Sequence, residues 1–117
     1  MKNLKLLNLT KNTQLANEVL VADGLWSRMK GLLGMPTLPK GQTLWIHQCN
    51  SVHTWFMKFS IDCVFVSKDL QVKAIYRNLK PWKVTFPKLT ADSVFEFSAG
   101  QIDEKNISIG DQLNVGH

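Results

Sequence analysis

The segment CNSVHTWFMKFSID, from Cys49 to Asp62, gathers a thiol, an imidazole, a thioether, hydroxyls and a carboxylate among three aromatic residues. Titratable side chains elsewhere in the chain are scattered. Cys49, His53 and Met57 stand four residues apart and are the soft ligand types that suit copper(I) when they converge. The segment is dense in β-branched and aromatic residues, so it reads as a strand, on which neighbours in that series lie about 13 Å apart. No metal or cofactor is therefore expected. Cys49 and His53 are also the types of a nucleophile and its base, since imidazole within hydrogen-bonding reach lowers a thiol pKa and generates the thiolate. Asp62 would orient that imidazole. Against the dyad, no glycine-rich oxyanion element accompanies Cys49, and a buried, inert thiol beside a structural histidine has the same signature.

Asp62 and Glu96 form a second candidate pair, because two carboxylates that sit close serve acid–base hydrolysis. Strand alternation constrains them. In IDCVFV, Asp62 shares a face with Val64 and Val66, while Ile61, Cys63 and Phe65 point the other way; in SVFEFS, Glu96 aligns with Val94 against Phe95 and Phe97. A carboxylate on such a face must find hydrogen-bond donors or stay at a sheet edge. A third chemistry is suggested where Tyr76, Trp82 and Phe86 alternate with Arg77, Lys80, Lys83 and Lys88, a mix that stacks bases and neutralises phosphates. The recognised RNA-binding signatures are missing from it.

The elements that must position these residues are mostly strands. Short runs rich in Val, Ile, Phe, Trp and Thr, punctuated by Gly, Pro, Asn and Asp, predict strands over Leu4–Leu9, Gln14–Val21, Thr43–His47, Val52–Phe59, Ile61–Ser67, Gln71–Arg77, Lys83–Phe86, Ser93–Ser98 and Gln112–Val115. Lys68-Asp69 reads as a tight hairpin turn. One helix is expected after Asp23, a capping residue, because Leu25, Met29, Leu32 and Leu33 recur near the helical period before Gly34 and Pro36 end it. A second helical turn is expected over Gln101–Asn106. The fold class is thus mostly β: a single domain over residues 1–117, a β-sandwich or barrel with one short helix packed across it.

Composition bounds the function classes. At 117 residues and 44% hydrophobic, the chain is long enough for one core and too short for two domains. Two cysteines, Cys49 and Cys63, fall short of a disulfide framework or a four-ligand zinc site and are expected as thiols. The apolar N-terminal run is broken by Asn3, Lys5, Asn8 and Thr10, and nothing approaches the ~20 apolar residues of a spanning helix. The expected compartment is the cytoplasm, with no membrane partner. Net charge is +5, but from Gly24 to Ala91 ten basic residues face two acidic ones, and from Asp92 onward five acidic residues face Lys105 alone. Dispersed in this way, the charges read as solvated surface whose two regions attract each other in the folded chain.

Four ordered motifs, GLWSRMKGLLGM, CNSVHTWFMKFSIDCVFVSKDLQV, SVFEFSAG and ISIGDQL, resemble the bacterial and archaeal family known as domain of unknown function 192, in its Cys-x-x-x-His-Thr branch. By position the resemblance picks out Gly24, Leu25, Arg28, Gly34 and Met35, then Cys49, His53, Thr54, Phe56, Met57, Asp62 and Phe65, and finally Glu96, Ala99, Gly100, Gly110 and Asp111. Trp26 departs from it, standing where the family usually has methionine. The resemblance implies a compact, mostly β fold and implies no activity. The leading expectation is a small binding module, monomeric or weakly dimeric, whose cleft is lined by Cys49, His53, Thr54, Met57, Asp62 and Glu96 and takes a small polar ligand or a peptide. A Cys-His or carboxylate hydrolase and a single-stranded nucleic-acid binder are the alternatives.

Overall fold

The computed structural model describes residues 4–23, 38–54 and 57–116. Eight strands run in chain order: β1 (Lys5–Asn8), β2 (Thr13–Ala16), β3 (Glu18–Asp23), β4 (Gln42–His47), β5 (Ile61–Val66), β6 (Val72–Leu79), β7 (Ser93–Ser98) and β8 (Leu113–Gly116), with the helical turn α1 (Gln101–Glu104) between the last two. They form a three-stranded sheet, ordered β2-β1-β8, and a five-stranded sheet, ordered β3-β4-β7-β5-β6. All neighbours are antiparallel except β3 and β4, which run parallel. The sheets are not closed into a barrel, so the sandwich is the form adopted. The helix expected over residues 24–33 lies outside the described residues, whereas the helical turn expected at 101–106 is α1.

The central strands β5 and β7 of the larger sheet are buried on both faces, which decides what their polar residues can do. One face packs Val64, Val66, Phe95 and Phe97 against Leu6, Leu15 and Leu113 of the small sheet and Ile102 and Ile107 beside α1. Its other face packs Leu44, Ile46, Ile61, Cys63, Phe65 and Val94 against Leu38, Val52, Met57 and Ala91 from irregular segments. Every residue of β5 is buried, and the expected alternation holds: Val64 and Val66 enter one cluster, Ile61, Cys63 and Phe65 the other. Each of these large side chains contributes about 1.5–3 kcal/mol on leaving water.

Three expected strands are otherwise in the structure. Gln14–Val21 is two strands in different sheets, broken where the amides of Asn17 and Glu18 both donate to the Gly41 carbonyl (2.8 and 3.2 Å) and turn the chain. The described residues of Val52–Phe59, like Lys83–Phe86, join no sheet, and the two segments meet in an isolated bridge, His53 to Val84. The Thr54 hydroxyl takes over there as a ladder partner, donating to the Lys80 carbonyl (2.5 Å) and accepting the Lys83 amide (2.9 Å). Among the described residues no helix is long and apolar enough to cross a membrane.

The Gly110-Asp111 motif closes the small sheet. Gly110 has φ +95°, which side-chain-bearing residues rarely adopt. Buried Asp111 accepts the Asn8 amide (2.8 Å) and the Ser108 amide (2.9 Å) and pairs with Lys11 (3.2 Å), clasping the start of β8 to the β1–β2 hairpin. Burial pushes its pKa up, but the hydrogen bonds from Asn8, Ser108 and Lys11 and the Lys11 charge outweigh burial and hold it below the ordinary 3.8. A depressed folded pKa gives stability that is present above the unfolded value and lost as pH falls through the folded one. Wild type should therefore lose stability below about pH 4, and Asp111→Asn, less stable at neutral pH, should be flatter across the same window. Urea unfolding at a series of pH values measures both curves; identical acid slopes would remove the clasp's electrostatic role.

Candidate functional site

Asp62 sits in the middle of the fold and is fully engaged. Between Ile61 and Cys63 the β5–β6 register shifts, with Arg77 and Asn78 of β6 facing a single β5 residue, and Asn78 takes φ +51°. A bulge of this kind leaves an amide without its ladder partner. The Asp62 carboxylate supplies the missing acceptor, receiving Asn78 N–H at 2.8 Å on Oδ1, and on Oδ2 Gly100 N–H at 3.1 Å and Ile102 N–H at 2.8 Å. Gly100, at φ +96°, has the backbone conformation that aims its amide there. With three backbone donors and 1% exposure, Asp62 is a tie between two strands and a helical turn.

Glu96 is equally buried but on the opposite face. Asp62 pairs with Phe97 and Cys63 with Glu96, so Glu96 projects with Cys63 and Asp62 with Phe97. The sheet itself separates the two carboxylates. The other residues singled out in the sequence lie in the irregular layer over the Glu96 face. Cys49 is half-buried, its amide bonded to the Asp92 carbonyl (2.9 Å) and its thiol donating to the Ser51 carbonyl (2.8 Å). Half-buried His53 bridges to Val84, Thr54 is buried in its bonds to Lys80 and Lys83, and Met57 packs in the second core. Among the described residues no three of His, Cys, Asp and Glu gather as a metal would require.

A concave site does exist at one end of the larger sheet. A pocket of about 450 Å³ opens between the end of β4 (Trp45, His47, Gln48), the β5–β6 turn (Ser67, Lys68, Leu70) and the start of β7 (Asp92, Ser93). Its volume suits a small molecule. The indole of Trp45 is fixed as one wall: it stacks on Phe95 with centroids 5.1 Å apart, donates Nε1–H to Ser93 Oγ at 2.9 Å, and meets the His47 ring edge-on at 4.2 Å. Two rim residues, Gln48 (φ +52°) and Leu70 (φ +64°), have left-handed backbones that glycine would hold at less cost. Leu70 is kept there by a turn bond to the Ser67 carbonyl (2.9 Å) and by packing on the first core. Lys68 and Asp92 carry opposite charges on this rim and form no ion pair with each other.

None of the six residues expected to line a cleft lines this pocket. Sequence reasoning missed it because its residues come from three separate segments with no shared spacing. The readable signal was the Lys68-Asp69 turn, with Asp92 where the charge reverses. What the fold and pocket define is a small two-sheet β-sandwich with a mixed polar and aromatic cavity at the end of its larger sheet. The chain belongs to the family of domain of unknown function 192, described as "Uncharacterized ACR", whose model matches residues 7–115. A "UPF0127 protein" of Thermococcus sibiricus is 30% identical over 93% of this chain and 73% of its own, and one of Pyrococcus furiosus is 31% identical over 92% and 95%. A Sinorhizobium meliloti crystal structure, provisionally described as a transcription regulator, shares the fold at TM-score 0.78, with 16% identity over 97% of this chain and 92% of that one.

Two outcomes follow from these placements. Asp62→Ala strands three amides and should cost about 3 kcal/mol or more, at roughly 1–3 kcal/mol for each buried group left unsatisfied, whereas Asp62→Asn keeps an acceptor and should cost less. Urea unfolding decides it; a loss under about 1 kcal/mol for the alanine variant would show that the tie is unimportant. Because the Cys49 thiol donates its proton to the Ser51 carbonyl, a bond that only the protonated form makes, it should alkylate with iodoacetamide at pH 6 no faster than free cysteine in solution. Labelling well above that rate, abolished in His53→Ala, would restore the dyad.

Proposed function

We propose that this protein is a binding module and that its ligand is a small zwitterion of amino-acid type, held in the pocket over Trp45 and His47. The observation that carries the reading is the pair Lys68 and Asp92: opposite charges on one rim with no ion pair between them, leaving each available to a ligand's carboxylate or ammonium. Trp45, already fixed by Phe95 and Ser93, offers a flat apolar wall that costs no reordering on binding. Ser67 adds hydrogen-bonding capacity. This relocates the expected ligand site from His53, Asp62 and Glu96, whose two carboxylates are buried on opposite faces, to the sheet end. The same burial speaks against acid–base hydrolysis by that pair, which needs both carboxylates beside one substrate. Two cysteine thiols support a reducing compartment, and we take it to be the cytoplasm.

A thermal-shift screen of amino acids and dipeptides, followed by calorimetry, tests the reading. Ligand at 100 times its dissociation constant should stabilise the fold by about 2.7 kcal/mol. Lys68→Ala and Asp92→Asn should each weaken binding by about tenfold or more while leaving the ligand-free melting temperature close to wild type, since a charged contact contributes about 1.5–3 kcal/mol. Saturable binding that ignores both substitutions would place the ligand elsewhere. Binding of simple anions or cations equal to that of zwitterions would overturn the proposed class.

A further inference from the structure

The segment from Lys80 to Leu89 takes no part in the pocket. Its backbone is clamped to residues 50–54: the amides of Trp82, Thr85 and Lys88 donate to the carbonyls of Thr54, Val52 and Asn50 at 3.0, 2.9 and 3.0 Å, and the Thr54 amide donates back to Lys83 at 2.8 Å. The Thr54 hydroxyl adds its two bonds to Lys80 and Lys83. This is a fixed shelf. On it Trp82, Val84, Phe86 and Leu89 are 59%, 66%, 88% and 89% exposed. Together they leave on the order of 500 Å² of apolar side chain in water, the size of the largest apolar patch on a typical folded protein, which is often functional. Trp82 holds φ +68°, a conformation that residues of its size rarely adopt, within this clamp. Lys80, Lys83 and Lys88 are exposed among the apolar residues, and the chain has no acidic residue from Lys80 to Ala91.

We propose that this shelf docks the protein on the headgroup region of an anionic lipid bilayer, with Phe86 and Leu89 entering the acyl boundary and the three lysines meeting the lipid charges. Charge complementarity selects an anionic surface, and the apolar residues select among anionic surfaces. A single-stranded nucleic acid stacks bases on aromatic faces and leaves Val84 and Leu89 without a role. The core of a protein interface is depleted in lysine. A second copy of this chain would bring three more lysines against these three. Trp, Phe and Leu ringed by Lys is the composition that settles at a lipid–water boundary. The lack of a spanning stretch is no obstacle, because peripheral docking needs none.

Flotation of the full chain with vesicles of phosphatidylcholine plus phosphatidylserine, against phosphatidylcholine alone, tests this. Binding should require phosphatidylserine and weaken with salt. The triple substitution Lys80→Ala, Lys83→Ala, Lys88→Ala should lower partitioning roughly a hundredfold, at about fivefold per lysine. Phe86→Ala with Leu89→Ala should lower it about tenfold or more. Both variants should melt like wild type, because these side chains are exposed. Three results would overturn the proposal: no flotation at low salt, flotation indifferent to the Phe86 and Leu89 substitutions, or tighter binding of oligo(dT) that depends on Trp82, which would assign the shelf to nucleic acid.

Discussion

The Asp62 carboxylate is the constraint around which the larger sheet is arranged. Three backbone amides from two separate elements converge on it, one from the β6 bulge and two from the turn that starts α1. Without an acceptor at that point, β6 could not shift register beside β5, and the chain leaving β7 could not turn back over the first core with Ile102 and Ile107. A buried charge is tolerable only where hydrogen bonds replace the water it has lost. The bulge, Gly100 and Asp62 are thus one unit.

Burial on both faces of β5 and β7 explains why the centre of the sheet offers no reactive surface. A group such as Glu96, at 0% exposure, cannot meet a solute without the layer above it moving. The pocket at the end of β4 has walls held by contacts that belong to the core: Trp45 on Phe95, Leu70 on the first cluster. Rigid strands carrying a loop-built cavity is the usual division of labour between scaffold and site.

Charge shows a similar separation. Part of the basic middle and the acidic end do meet, through Arg77 with Asp103 at 2.8 Å and Lys40 with Glu104 at 4.0 Å. Both pairs are exposed and add little stability. The lysines of the 80–90 segment lie outside these pairs and stand beside Phe86 and Leu89, the most exposed large apolar residues among those described.

Much of this fold was legible because alternation and turn chemistry are local. Ser93–Ser98 was readable to the residue, as were the two faces of Ile61–Val66, the Lys68-Asp69 turn and the helical turn after Gly100. The need of Asp62 for donors was readable as one of two options, since a carboxylate on a valine face must find donors or stay at a sheet edge. The identity of those donors was not, because Asn78, Gly100 and Ile102 come to it only through a bulge and a crossing of elements. Gln14–Val21 looked like one strand because propensity carries no record of the Gly41 carbonyl that breaks it. Cys49, His53, Asp62 and Glu96 looked like one site because they are chemically alike and mostly close in sequence. Tertiary structure alone decided that Asp62 and Glu96 face opposite sides of a sheet and that Trp45, His47, Lys68 and Asp92 line an open cavity. The pleat fixes which residues share a face of one strand, but which faces reach water is set by what packs on them, and that depends on contacts between segments far apart in the chain.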